Sequence, residues 1–176
     1  MSDDGVKTQL DRICHALTSR HGPLPSLDVK QEGHAIPWLH RATSPAVVEE
    51  AERRLGVALP PLLRAVLLRI ANGGEAMLMV GIEPRLRHLS YSETRCYCDL
   101  VAAYFTEVRA CEEEGREPWP IGRLPIFDRH GCGLVSCVDC TTPQGVVWML
   151  NSGEWEIIAP TLVEYVEEPI TPPSAV

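Results

Sequence analysis

Apolar residues recur at helical spacing near the start of the chain. Leu10, Ile13, Cys14 and Leu17 stand three or four apart and predict a modest amphipathic helix ending near His21-Gly22. Residues 22–43 hold three prolines and two glycines and read as an irregular connection, with Trp38 and Leu39 expected to pack on the domain. The next pattern is the clearest. Ser44 is a suitable N-cap and Pro45 suits a first helical position, while Val48, Ala51 and Leu55 line one face of the helix that follows. Gly56 supplies the left-handed stop. Pro60 and Pro61 open a second helix whose Leu62, Leu63, Val66, Leu67 and Ile70 leave only a narrow polar stripe, so that helix is expected at the centre of the core. Asn72-Gly73-Gly74 then predicts a tight structural reversal from a buried helix into a strand, "AMLMVGI".

A third strong helix is predicted over 97–114, with Leu100, Val101, Tyr104, Phe105 and Val108 on one face. After Pro118-Trp119-Pro120 the period changes from 3.6 to 2. "RLPIFDR", "GLVSCVDC", "GVVWMLN" and "EWEIIA" read as short strands separated by turn residues, an antiparallel meander. Thr161 with Glu164 forms a capping box for a last helix reaching about residue 168. Helices, then a meander, then a closing helix imply an α+β fold, helices packed on a mostly antiparallel sheet in a single domain. The expected organisation is an N-terminal helix and connection over 1–37, the domain proper over 38–168, and a disordered tail over 169–176.

Composition and charge act mainly by exclusion. A chain of 176 residues with 45% hydrophobic and 23% charged residues can bury one sizeable core. Its formal net charge of −8 argues against a nucleic-acid binder, and no more than two Lys/Arg stand together. The polar, acidic start "MSDDGVKTQL" is unlike a secretory leader, and no apolar run approaches a membrane span. Seven cysteines without a secretion signal imply reduced thiols and a cytoplasmic location.

The sequence resembles the SUKH superfamily, which includes fungal cell-wall regulators of the Smi/Knr type and many bacterial toxin-immunity proteins. The resemblance is carried by "SPAVVEEAERRLGVALPPLLRAVLLRIANGG", "WPIGRLPIFDRHGCGLVSCVDC", "GVVWML" and "IIAPTLVEYVEE", in that order over roughly residues 38–168. It implies a SUKH-like domain that binds a protein and does no chemistry. The expected function is that of an immunity protein sequestering a cognate toxin domain of nuclease or deaminase type. A regulatory scaffold without a toxin is the alternative, and a small metal- or thiol-dependent enzyme is the third reading. Oligomeric state is left open.

The residues give that third reading little support. Cys96, Cys98, Cys132, Cys137 and Cys140, with His130 nearby, invite zinc, but Cys137 and Cys140 lie three apart along a predicted strand and face opposite sides of it. A thioredoxin-type role for the same pair lacks the helix N-terminus that lowers a thiol pKa. Asp128 and His130 form no recognised catalytic signature, and nucleophile elbows, phosphate loops and dinucleotide fingerprints are all missing from the sequence. The expectation is therefore no enzyme, no cofactor and no metal.

Two features point to a partner instead. Glu112, Glu113 and Glu114, with Glu117 just beyond, place negative charge at a helix C-terminus, where it opposes the macrodipole. Such a run is either a solvated helix end in an acidic protein or a surface for electrostatic capture of a basic protein, a basic toxin domain in the SUKH reading. Trp119, held between two prolines, is the other candidate: interface statistics favour it as an anchor, burial statistics as packing beneath its loop. Trp148 and Trp155, on strand faces with Leu150 and Ile157, are expected in the core.

Overall fold

A computed structural model describes residues 2–21, 42–72, 81–82, 99–128 and 134–168. Its elements in chain order are α1 (Asp3–His21), α2 (Pro45–Leu55), α3 (Pro61–Arg69), α4 (Leu100–Glu113), β1 (Arg123–Asp128), β2 (Val135–Asp139), β3 (Val147–Asn151), β4 (Glu154–Ala159) and α5 (Leu162–Glu167). The fold is α+β. The four described strands run β1-β2-β3-β4 in an antiparallel meander, as the period-2 pattern predicts. Of the expected "AMLMVGI" strand only Gly81 and Ile82 are described. Gly73, Gly74 and the segments 22–41 and 169–176 lie outside the described residues.

Local chemistry explains most element ends. Gly56 closes α2 at φ +70°, and its N–H donates to the Glu52 carbonyl at 2.9 Å. Pro61 opens α3 where a missing N–H costs nothing. The Glu52 side chain links the two helices, accepting from the Leu59 N–H at 2.9 Å and pairing with Arg64. Thr161 caps α5, its Oγ1 accepting from the Glu164 N–H at 3.2 Å. The β3–β4 hairpin turns through Ser152 and Gly153 at φ +52° and +92°, the positive pair that a type I′ turn requires. Ser44 departs from expectation. It stands at the N-cap of α2 in extended backbone, yet its side chain makes no capping bond.

The main core lies between one face of the sheet and helices α1, α2, α3 and α5. Leu124, Val138 and Val147 come from the sheet, and Leu62, Leu63, Val66 and Leu67 from α3, all fully buried. α3 is the central helix that its narrow polar stripe predicts. α1 packs against α5 and α3 through Leu10, Ile13 and Leu17, and Arg12 clasps Glu167 through both its Nε and a terminal nitrogen.

The other face of the sheet carries a second, smaller cluster made with α4. Ala103 and Cys111 of α4 meet Trp119, Val135 and Cys137 there. α4 therefore buries Leu100, Val101, Ala103, Glu107 and Cys111. Phe105, expected on the buried stripe, is 42% exposed instead. The helix is wedged between two clusters: Leu100 and Val101 belong to the first, Ala103 and Cys111 to the second, and Tyr104 packs against both.

Candidate interaction surface

The acidic run sits where the sequence places it. Asp99 caps the start of α4, its side chain accepting from the Ala102 N–H at 2.8 Å, and the helix runs to Glu113. Its end is a Schellman motif. Gly115 at φ +63° donates to the Glu112 carbonyl, and the Arg116 N–H donates to the Cys111 carbonyl at 2.9 Å. This geometry turns Glu112, Glu113 and Glu114 outward, and Glu117 after them is exposed as well. Glu114 pairs with the Arg116 Nε at 2.7 Å. The run thus stands in solvent at the negative end of the helix dipole, where its own repulsion adds no stability.

Two residues past Glu117 the chain dives back. Trp119 is 5% exposed, and its indole N–H donates to the Arg123 carbonyl at 2.8 Å. Of the two readings of Trp119, the structure has the packed one: its ring lies beneath its loop and is not an exposed anchor. It stands edge-on to Trp155, with centroids 5.2 Å apart and planes at 72°. The Arg123 guanidinium lies over Trp148 at 4.1 Å and over Trp155 at 4.5 Å.

Cross-strand register brings these side chains to one face. Cys137 pairs with Pro125 and Trp148, Val135 with Leu150, Trp148 with Ile157, and Leu150 with Trp155. Directly opposed residues point to the same side of a sheet, so this face carries Trp148, Leu150, Trp155 and Ile157. α4 covers it incompletely. Trp148 and Trp155 are half-buried rather than core, and Ile157 is 57% exposed.

Asn72, the first residue of the expected reversal, is 1% exposed, and its Oδ1 accepts from the Ile82 N–H at 2.7 Å. The Gly81 carbonyl in turn accepts from the Leu100 N–H at 2.8 Å. Asn72 therefore fastens the end of α3 to the start of α4, a structural task. A separate apolar groove of about 300 Å³ lies beside these residues, lined by Ala46, Val47, Ala51, Ile82 and Val101 with Glu50 and Arg54 at its rim.

The thiols sit in environments unsuited to nucleophilic work. Cys137 belongs to the α4 cluster and Cys140 packs against the main core, so the two lie on opposite sides of the sheet. Burial, reinforced by the neighbouring Glu107 carboxylate, pushes the Cys137 thiol well above its ordinary range. Burial, with Asp139 and then Glu52, pushes Cys140 up to about 12. Neither forms thiolate near neutral pH. Among the described residues no group of three or more His, Cys, Asp or Glu could hold a metal ion. Cys96, Cys98, Cys132 and His130 lie outside the described residues. No described helix is long and apolar enough to cross a membrane.

Sequence reasoning passes over two residues at this surface. Arg123 stands at a strand end that is unremarkable until the register sets it over two tryptophans from other strands. Glu107 falls in a helix whose one-stripe reading leaves it outside, yet it is 1% exposed. The i+4 spacing of Ala103, Glu107 and Cys111 is the signal that could reveal a second buried stripe.

No curated protein matches the sequence. A family model does, over residues 42–168, from just before α2 through α5. The chain belongs to the SMI1/KNR4 family (SUKH-1).

Proposed function

We propose that this chain acts by binding a protein, without chemistry of its own, as the cytoplasmic immunity partner of a basic toxin domain of nuclease or deaminase type. Membership of the SUKH-1 family is consistent with an interaction module of the immunity or Smi/Knr kind. The observation that carries the reading toward a basic partner is the exposed run Glu112–Glu114, with Glu117 beyond it, at a helix end where local stability opposes negative charge. Charge held against its own electrostatic cost suits encounter with an oppositely charged partner. The high thiol pKa directions of Cys137 and Cys140 speak against a thiol-dependent reaction at those positions.

The test begins with the reading frames beside this one. A secreted protein with a C-terminal toxin domain is expected there. An inactivated form of that domain should bind the purified chain at a one-to-one ratio, and co-expression of the chain should rescue growth in the presence of the active form. Absence of such a neighbour, or binding without rescue, would favour the regulatory-scaffold reading.

A further inference from the structure

We infer that the partner docks on the outer face of the β3–β4 hairpin, centred on Ile157, Trp148 and Trp155, and that it is a basic protein presenting apolar side chains to that centre. This inference rests on the immunity reading above and adds to it where the partner sits. Ile157 is 57% exposed directly beside half-buried Trp148, its cross-strand partner, with Trp155 two positions away on the same strand face. On the opposite face Val147 and Ala159 are buried in the main core, and toward the hairpin turn that face is polar and exposed at Asn151, Glu154 and Glu156. It is the Trp148 face that leaves large apolar side chains open to solvent. Contiguous apolar exposure of that kind marks interaction sites.

The patch is also rigid. Arg123 lies across both indoles, and Trp119 braces Trp155 from beneath with its own N–H already bonded. Side chains held in place before binding lose little rotamer freedom on binding, and Trp and Arg are the residue types that dominate interface energetics. α1 and α5 pack into the cluster on the opposite face of the sheet.

Charge decides the occupant. Glu117 lies two residues from Trp119, whose ring meets Trp155, and it continues the exposed run 112–114, whereas Glu154 and Glu156 alternate with Trp155 and Ile157 and point to the other side of the sheet. A second copy of the chain would bring together two molecules that each carry a formal net charge of −8. A basic protein meets an apolar centre flanked on the α4 side by an exposed acidic run, the arrangement in which the rim steers and the centre holds.

The experiment uses the full chain and, as probe, the inactivated toxin domain encoded beside it. Ile157→Arg should weaken binding at least about tenfold, mainly through faster dissociation and with little dependence on salt, while the thermal midpoint stays at the wild-type value. Ser19→Arg adds the same charge on α1, and its affinity should stay within about twofold of wild type. If the arginine disturbs β4, Ile157→Thr keeps the β-branched shape and should still lose at least about threefold. Wild-type binding that both Ile157 variants retain would overturn the surface and leave the proposed function standing. No binding by the wild type overturns the proposed function and the surface with it. Sedimentation showing a wild-type dimer that Ile157→Arg dissolves would replace the basic partner by a second copy.

Discussion

Gly81 has room for a hydrogen and nothing more. A Cβ built there would lie 2.1 Å from the Asn72 carbonyl oxygen and 2.6 Å from its Oδ1, the atom that receives the Ile82 N–H. Gly81→Ala is therefore expected to cost about 3 kcal/mol, at the upper end of overpacking penalties, because the obstacle is partly backbone. Gly56 makes the contrast. A Cβ at Gly56 would meet nothing within 4 Å, but the φ of +70° should make Gly56→Ala cost only about 1–2 kcal/mol. Urea denaturation of the two variants measures both, and an equal loss would refute the steric account. The role of Gly56 is legible in the sequence because a helix stop is local. The junction of Asn72 with Gly81 and Ile82 is not, because it joins residues on either side of an intervening segment. Cys140 makes stability depend on pH. Its folded pKa is raised from an ordinary value of 9.0 to about 12, so between those limits the unfolded chain releases a proton that the folded chain keeps. Its contribution to stability is whole below pH 9 and falls as pH rises, by up to about 1.4 kcal/mol per unit. The stability advantage of wild type over Cys140→Ala should narrow steadily across that window.

At the scale of elements, α1 belongs to the core although the family match begins after it, at residue 42. Ile13 and Leu17 are fully buried against α3 and α5. Leu17→Ala should cost about 2–5 kcal/mol, the usual loss for a buried leucine with a cavity left behind. Thermal denaturation read by a tryptophan signal should show one cooperative transition moved to lower temperature. A separate early transition would mean that α1 melts by itself. Periodicity finds α1, α2 and α3, whose apolar stripes serve one core, and the four strands, whose period of 2 survives burial on both faces, while a capping box marks α5. It misplaces the face of α4 because that helix is buried on two sides: Phe105 emerges, and Glu107 goes in. A template with a single apolar stripe has no place for a helix shared by two clusters.

Among the described residues, one face of the sheet is packed in the main core and the other is left partly open, with the exposed acidic run Glu112–Glu114 and Glu117 leading into the Trp119 that braces it. Reversing Glu112, Glu113 and Glu114 to Lys should slow association with a basic partner at low salt. The difference should shrink above about 0.15 M, where the Debye length is near 8 Å. Stability should be unchanged or slightly improved, since lysines suit a helix C-terminus. Stopped-flow association at two salt concentrations, with a melting curve, decides between steering and a merely solvated helix end. This acidic part of the surface is legible as consecutive letters. The aromatic centre is not, because Arg123, Trp148, Trp155 and Ile157 become neighbours only through strand register. For Trp119 the sequence offers both an anchor and a packed ring, and its indole turns out to support the others from below.

The clasp between Arg12 and Glu167 joins residues 155 apart, and that separation is also a delay. At about 5–20 residues per second on the ribosome, roughly 8–30 s pass between the synthesis of one partner and of the other. α1 is made first, but the wall supplied by Leu162, Val163, Tyr165 and Val166 arrives last. Until α3 is made the apolar stripe of Leu10, Ile13 and Leu17 has neither of these walls, and from then until α5 is made it can close on the α3 side alone, open to a chaperone or to a neighbouring copy. A message cut short before Leu162 consequently releases the first helix along with the last.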